Sequence, residues 1–382
     1  MECRSCETVV DPEPIHGQCP ECGGILTAIA EYDPPNAEVL ESVPASMWNF
    51  DALLPFDRDS AVSMGEGATP LVQVPELASR FDIDQLLIKD EGQNPTGSIV
   101  DRELSMAMTA AVKLGEQTGS LAAPGAAGQS FAAYATRADL DGTVYLPARA
   151  PFRHKAMCNV HGIDLNVVQG RLAEAEKALQ EGRDTDAGGY PFGAFETPFR
   201  YVGATTVAFE IVAAMDGDVP DAVVVSTGNG VPLVGLFEGF RLLAEHDFVP
   251  NLPRLVAVQP AGCAPIATAI SSGEPPRPVS VPDTICGELE VADPSASPWI
   301  MDAIEETNGT AVSVTDKGIL DAGVSVAQAT GLELSPDAAA GPAGVQALCA
   351  NGFFTGTETV LVLSTGTGGA DLLKSHPGAG NR

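Results

Sequence analysis

Residues 86–102 read LLIKDEGQNPTGSIVDR, which joins an apolar run to a turn and the turn to a helix. The apolar run, Leu86–Ile88, is typical of a buried strand. The turn contains Gly92, Pro95 and Gly97, which belong to the residue types that favour reversals of the chain. The segment therefore predicts a strand that leads directly into a helix.

The same alternation of strand and helix continues along the chain. Further apolar runs that are typical of strands lie at 144–146, 223–225, 256–258 and 360–363, and helical stretches such as 102–113, 128–139 and 205–215 lie between strands. Alternation of this kind predicts an α/β fold with parallel sheets covered by helices. In such folds, ligands bind beyond the carboxyl ends of the strands, usually on Gly-rich turns that open helices.

Composition limits the classes of protein and partner that need to be considered. The chain has 382 residues, of which 45% are hydrophobic, so we expect a globular protein with two or three domains. Its formal net charge of −31 disfavours nucleic acids and anionic membranes as partners. Acidic residues spread along a chain with few lysines are typical of proteins that work in high salt. We find neither an apolar signal region nor a long apolar run, so we expect a cytoplasmic protein.

Four of the eight cysteines form two Cys-x-x-Cys pairs, at Cys3, Cys6, Cys19 and Cys22. Two such pairs can complete a tetrahedral thiolate shell around one ion. Because no coordination position stays open, we expect a four-cysteine zinc ribbon with a structural Zn²⁺ ion rather than a catalytic metal. Disulfide bonds or a redox pair are alternatives, and His16 could replace one ligand.

Five turns follow the cysteine motif in a fixed order, and each lies beside a predicted strand. They are GEGATPL at 65–71, KDEGQNPTGS at 89–98, APGAA at 123–127, STGNGV at 226–231 and STGTG at 364–368. In this order the chain resembles the archaeal and bacterial threonine synthases. The resemblance implies an α/β fold of fold-type II pyridoxal-phosphate (PLP) enzymes, in which two doubly wound, tryptophan synthase β-like domains follow the zinc ribbon.

The resemblance also implies a domain order. We expect a zinc ribbon at 1–28, a linker at 29–60, a large α/β domain formed by 61–102 and 199–374, a small α/β domain at 103–198 and a disordered tail at 375–382. Family members are commonly dimers, so a homodimer, or a heteromer with an active paralogue, is the expected assembly.

The family binds PLP as a Schiff base on a lysine and converts O-phosphohomoserine to threonine. Its lysine lies in a Ser-Phe-Lys-Asp-Arg run, and the matching residues here are Ser98-Ile99-Val100-Asp101-Arg102. Val100 at the lysine position has no nitrogen that could anchor the cofactor or carry a proton. We therefore assign no catalytic residue and expect no covalently bound PLP. We expect Arg102 to pair with its neighbours Asp101 or Glu103.

Other cofactor positions implied by the resemblance are retained only in part. In the loop where the family has Ser-x-Gly-Asn, Gly125 is kept but Ala126 replaces the asparagine. In the phosphate cradle, Gly228, Asn229 and Gly230 are kept but Val231 and Pro232 depart from the glycine run. Thr365 matches the residue that bonds the pyridine nitrogen. The family's Glu-Pro-Ala-Ser motif becomes Ser335-Pro336-Asp337-Ala338.

Three hypotheses remain open from the sequence. The first is a non-catalytic paralogue that regulates or assembles with an active relative. The second is an enzyme on O-phosphohomoserine with altered cofactor anchoring, in which Lys89 or Lys155 replaces the missing lysine. The third is a sensor of a small amino-acid-like ligand. Lys89 could simply pair with an acid such as Glu91, and Lys155 lies in a basic stretch with Arg149, Arg153 and His154.

Overall fold

A computed structural model describes residues 1–11, 18–28, 37–40, 45–183 and 189–368. His16, Lys374, the predicted tail at 375–382 and parts of the predicted linker lie outside these ranges. The chain divides into two compact units. Unit 1 comprises the described residues within Met1–Ala68 and Val100–Glu210, and unit 2 those within Thr69–Ile99 and Ile211–Arg382. The domain boundaries expected from the resemblance stay predictions.

Strands and helices alternate through most of the described chain. The strands are β1 Glu2–Cys3, β2 Leu26–Thr27, β3 Leu71–Gln73, β4 Gln85–Asp90, β5 Thr118–Ala122, β6 Asp141–Pro147, β7 Asp164–Val168, β8 Tyr190–Pro191, β9 Ala222–Ser226, β10 Arg254–Pro260, β11 Thr310–Val314 and β12 Thr359–Ser364. The α-helices are α1 Pro75–Phe81, α2 Val100–Lys113, α3 Ala126–Ala138, α4 Phe152–His161, α5 Leu172–Gly182, α6 Phe199–Ala214, α7 Val231–Glu245, α8 Pro265–Ser272, α9 Ser297–Glu306, α10 Asp316–Thr330 and α11 Pro336–Ala350. The predicted α/β class is confirmed.

Unit 2 is built on a six-stranded sheet with the order β11-β10-β9-β12-β4-β3. All neighbouring strands are parallel except β3, which runs antiparallel to β4. Every residue of β9 is buried, in agreement with a strand that is covered on both faces. The carboxyl ends of β9 and β12 lie side by side, because Leu363 is the register partner of Val225.

Helix α11 lies close against this sheet through its glycines. A Cβ atom on Gly341 would lie 2.7 Å from Val362 Cγ1, and one on Gly344 would lie 2.3 Å from Val258 Cγ2. Larger residues at these positions would push the helix away from the strands, so both glycines are required by packing.

Unit 1 contains a four-stranded parallel sheet with the order β7-β6-β5-β8 and a separate two-stranded antiparallel sheet of β1 and β2. Each step between the strands of the larger sheet passes through a helix, as parallel neighbours require. Among the described helices, none combines the length and the apolar character needed to cross a bilayer.

Candidate functional site

The four amino-terminal cysteines converge in unit 1. Their sulfur atoms all lie within 4.8 Å of one another, and the Sγ–Sγ distance is 3.4 Å for Cys3–Cys22 and 3.7 Å for Cys6–Cys19. Four sulfur atoms placed tetrahedrally at ~2.3 Å from zinc would be about 3.8 Å apart. All four are free thiols rather than disulfides. The cluster could therefore hold a metal ion, and its donor set fits zinc.

Local backbone geometry brings the two Cys-x-x-Cys knuckles together. The β1–β2 pairing sets Cys3 opposite Leu26 and so fixes the first knuckle beside the second. Gly24 is needed at the second knuckle, because a Cβ atom there would lie 2.6 Å from Ser5 Oγ and 3.0 Å from Cys3 Sγ.

In unit 2, the turn between β9 and α7 holds Gly228, Asn229 and Gly230, and each has a structural role of its own. A Cβ atom on Gly228 would lie 2.5 Å from the carbonyl oxygen of Glu288. Gly230 has a left-handed backbone with φ of +91°, and a Cβ atom there would lie 2.3 Å from Ile300 Cδ1. The amide of Val231 donates to Asn229 Oδ1 at 2.9 Å. Packing, the left-handed backbone of Gly230 and the hydrogen bond from the Val231 amide to the Asn229 side chain therefore account for these three residues without a ligand.

Thr365 follows β12 at the same edge of the unit 2 sheet as this turn. Its carbonyl oxygen accepts hydrogen bonds from Ile99 N at 3.0 Å and Ser98 Oγ at 3.4 Å. The amide of Thr367 donates to the Gly97 carbonyl oxygen at 3.0 Å. The closing turn of the chain and the end of the 89–98 turn are thus joined within unit 2.

The remaining candidate residues lie in unit 1. Val100 is the first residue of α2 and is half-buried. Gly125 is the residue before α3, and its carbonyl oxygen accepts from the amides of Gly128 and Gln129 at 3.0 and 3.2 Å. Ala126 is the first residue of α3. The side chains of Val100, Gly125 and Ala126 contain no acid, base or nucleophile, so they can shape a site but cannot transfer a proton.

Comparison with known proteins agrees with this arrangement of turns. Residues 62–366 match the family model described as "Pyridoxal-phosphate dependent enzyme". The chain belongs to this family of PLP-dependent enzymes.

Two archaeal threonine synthases are similar to the chain over most of their length. The relative from Methanosarcina acetivorans is 32% identical over 370 residues, covering 96% of this chain and 91% of the relative. The one from Methanocaldococcus jannaschii is 30% identical over 376 residues, covering 96% of this chain and 92% of the relative. The predicted resemblance to threonine synthases is confirmed.

Solved structures of PLP enzymes have the same fold. A threonine deaminase isoform from Solanum lycopersicum superimposes with a TM-score of 0.67 at 20% identity, covering 80% of this chain and 86% of that chain. A fungal L-serine ammonia-lyase from Rhizomucor miehei gives the same TM-score and identity, covering 80% of this chain and 98% of that chain. The predicted fold-type II architecture is confirmed.

Lysines matter in a PLP-dependent family, and of those described here Lys89 is buried and Lys155 is half-buried. Lys89, in β4, is 2% exposed, and its Nζ donates to the Thr69 carbonyl oxygen at 2.7 Å. Lys155, in α4, donates from Nζ to the Ala148 carbonyl oxygen at 2.6 Å. The other lysines within the described ranges, Lys113, Lys177 and Lys317, are exposed.

The basic stretch around Lys155 carries less positive charge than it would if His154 were protonated. His154 is buried, and its Nδ1 lies 2.8 Å from Gln129 Oε1. Burial, together with the nearby Arg153, lowers the pKa of His154 to about 3, so its imidazole is neutral at pH 7.

A buried polar cluster around Glu66 in unit 1 was missed by sequence reasoning. The Glu66 carboxylate accepts hydrogen bonds from Trp48 Nε1 at 2.8 Å, Ser105 Oγ at 2.6 Å and Tyr134 OH at 2.7 Å. Burial raises the pKa of Tyr134 and the Glu66 charge raises it further, so the phenol stays a donor. The only signal in the sequence was an acidic residue, Glu66, in the 65–71 turn, and the three side chains that donate to it lie 18 to 68 residues away.

Proposed function

We propose that this chain is a threonine synthase-like member of the PLP family that does not catalyse the family reaction. One observation carries the proposal: Val100 stands where the resemblance places the lysine. When bound, PLP supplies an electron sink, and the protein must supply the amine that holds it and the groups that move protons. A hydrocarbon side chain supplies neither. The residues therefore do not fit a cofactor held on a lysine at this position.

The contacts around Gly228–Gly230 support the proposal, because they explain why these residues persist without a cofactor. Gly228 packs against Glu288 and Gly230 against Ile300, and neither position has room for a Cβ atom. Asn229 accepts a hydrogen bond from the Val231 amide. Retention of the turn is thus expected in a protein that keeps the fold and has lost the chemistry. A role in regulating an active relative, as a homodimer or a heteromer, or in sensing a small amino-acid-like ligand is consistent with such a scaffold.

We also propose that Cys3, Cys6, Cys19 and Cys22 bind one structural Zn²⁺ ion. Four thiolates fill the coordination shell, so the ion would stabilise the amino-terminal residues and have no position for a substrate.

Borohydride reduction in the presence of PLP tests the main proposal. The native chain should give no lysine adduct by peptide mass mapping and no turnover of O-phosphohomoserine. The Val100→Lys variant tests whether the lysine alone is missing, and we expect an adduct at position 100. Val112→Lys is the matched control, because it places a lysine on an exposed position of the same helix. Phosphate release by the native chain at a rate comparable to an active threonine synthase would refute the proposal.

The second candidate is an enzyme on O-phosphohomoserine in which another lysine anchors the cofactor, and the burial of Lys89 is the observation that favours it. The Lys89 amine is a nucleophile of the type that forms such a covalent link. Its contact with the Thr69 carbonyl oxygen argues for a structural role instead. Two results would support this candidate. One is a PLP adduct that maps to Lys89 and disappears in Lys89→Met; the other is an adduct that maps to Lys155 and disappears in Lys155→Met.

A further inference from the structure

The outward side of α4 in unit 1 is apolar. Phe152, Ala156 and Val160 follow one another at intervals of four residues, so they lie on one side of the helix. Phe152 is 77% exposed and Val160 is 71% exposed, whereas Cys158 on the opposite side is buried. A surface helix normally turns its polar side to solvent, and α4 instead exposes apolar side chains. The side that carries Phe152, Ala156 and Val160 is called the α4 face below.

The edge strand of the same sheet exposes a further apolar side chain. His154 Nδ1 lies 2.8 Å from Gln129 Oε1, so α4 packs beside α3. Val167, in β7, is the register partner of Leu146, and a Cβ atom on Gly128 of α3 would lie 2.7 Å from Leu146 Cδ2. Val167 therefore faces the same side of the sheet as α3, and it is 48% exposed. Apolar side chains grouped on one surface, unlike single exposed ones, are typical of interaction sites.

The two ends of the α4 face carry opposite charges. Arg149 and Arg153 are exposed at the beginning of the helix. Asp164 is exposed three residues after His161, the last residue of the helix. The sequence contains no acidic residue between Asp141 and Asp164. The beginning of the α4 face is therefore cationic, and its end is anionic.

The charge of the whole chain limits where two copies of it can meet. Because the formal net charge is −31, two copies repel each other wherever acidic surfaces come together. Helix α4 contains no acidic residue, so this repulsion is weak at the α4 face. A contact with two-fold symmetry uses the same surface of both copies. If the two helices are antiparallel, the cationic beginning of each lies beside the anionic end of the other.

We propose that the α4 face binds the α4 face of a second copy of this chain, with the two helices antiparallel. Phe152 packs beside Val160 of the partner subunit, and Arg153 pairs with Asp164 of the partner subunit. Ala156 lies at the centre of the contact, where its small side chain lets the two helices approach closely. The inference goes beyond the proposed function, because it names the surface of a homodimer and does not depend on whether the family reaction has been lost.

Sedimentation equilibrium of the full chain tests the apolar part of the contact. We expect the native chain to dimerise, and we expect Val160→Asp to raise the dissociation constant of the dimer at least about thirtyfold, because it places a charge at the centre of an apolar contact. Val281→Asp is the matched control. Val281 is 73% exposed and belongs to unit 2, so the same substitution adds the same charge outside the α4 face. It should change the dissociation constant by less than about threefold.

Charge reversal, measured at the same salt concentration, tests the antiparallel arrangement. Arg153→Asp should weaken the dimer about tenfold, because it brings two acidic residues together. Arg153→Asp/Asp164→Arg should return the dissociation constant to within about threefold of the native value, since opposite charges meet again. Arg153→Asp/Asp321→Arg has the same net charge but reverses an exposed acidic residue of unit 2, so it should not recover.

Three results would overturn the proposal. A native chain that remains a monomer at all concentrations would indicate a different partner for the α4 face. A dimer that Val160→Asp does not weaken would use another surface. Equal recovery in Arg153→Asp/Asp164→Arg and Arg153→Asp/Asp321→Arg would mean that only the net charge matters. All of these substitutions are at exposed positions, and circular dichroism checks that each variant keeps the native fold.

Discussion

Arg102 and Glu210 form a bidentate ion pair. The two side chains are buried, with exposed fractions of 0% and 1%. Arg102 Nη1 lies 2.6 Å from Glu210 Oε1, and Nη2 lies 2.8 Å from Oε2. Thr206 Oγ1 accepts a further bond from Nη1 at 3.1 Å, and the Ala68 amide donates to Glu210 Oε1 at 2.8 Å. The pair therefore joins α2, the part of α6 up to Glu210 and Ala68, all of which belong to unit 1.

Removing one charge of this pair should destabilise the protein strongly. We expect Glu210→Leu to lower the free energy of unfolding by about 3–5 kcal/mol, because it leaves the Arg102 guanidinium buried without its partner. Urea denaturation followed by circular dichroism measures the change. The double variant Arg102→Met/Glu210→Leu should recover most of the loss, since no unpaired charge remains.

The exposed pair Lys317–Asp321 provides the control for this prediction. Its side chains are 85% and 56% exposed, so Asp321→Asn should change the stability by less than about 1 kcal/mol. If Glu210→Leu and Asp321→Asn had equal effects, burial would not determine the strength of the Arg102–Glu210 pair.

No local pattern in the sequence indicated the true partner of Arg102. The expected pairing with Asp101 or Glu103 is wrong, because adjacent residues on a helix do not face each other. Asp101 instead accepts from Ser130 Oγ, and Glu103 pairs with Arg200. Strands such as β9 and β12 could be predicted because an apolar run is a local signal. A partner 108 residues away depends on how the helices pack, which local sequence does not encode.

For the candidate site as well, the sequence predicted the local features and missed the long-range contacts. The order of the turns in the sequence was enough to predict the family and the position of Gly228–Gly230 after a strand. The contacts of Gly228 with Glu288 and of Gly230 with Ile300 were not foreseen, because they come from residues 60 or more positions later in the chain. These contacts change the interpretation of the glycines from cofactor contacts to packing requirements.

Gly230→Ala tests the packing requirement. The substitution places a Cβ atom 2.3 Å from Ile300 Cδ1 and forces a left-handed backbone on alanine. We expect a loss of about 3 kcal/mol, of which ~1–2 kcal/mol comes from the backbone and the rest from overpacking. Thermal and urea unfolding measure the total.

Gly217→Ala separates the two contributions. Gly217 has φ of +89°, nearly the same as Gly230, but no atom would lie within 4 Å of its Cβ. It should therefore show only the backbone cost of ~1–2 kcal/mol. Equal losses for the two variants would mean that the Ile300 contact contributes nothing.

Metal removal should affect the amino-terminal residues first. We expect one zinc ion per chain by mass spectrometry, and faster amide hydrogen exchange at residues 2–9 and 19–27 after chelation, because the thiolates lose their common ligand. Cys6→Ser should lower the zinc content, whereas Cys158→Ser, at a buried cysteine outside the cluster, should not. Full zinc content in Cys6→Ser would exclude the four-cysteine site.

Glu358 should make the stability depend on pH in the acid range. Burial alone would raise the pKa of Glu358, but hydrogen bonds from the Thr355 amide and hydroxyl and from the Gly356 amide outweigh it and lower that pKa to about 2. Since the folded pKa lies below the unfolded value of 4.5, the stabilisation is complete above pH 4.5 and is lost as the pH falls towards 2.

Glu358→Gln should remove this part of the pH dependence. The contribution is at most about 3 kcal/mol at neutral pH, and the variant should approach the native chain in stability as the pH falls from 4.5 to 2. Urea denaturation at a series of pH values measures both curves. Glu245→Gln, at an exposed position, should run parallel to the native curve throughout. A constant difference between Glu358→Gln and the native chain across this range would mean that the carboxylate charge contributes nothing and that only the loop contacts matter.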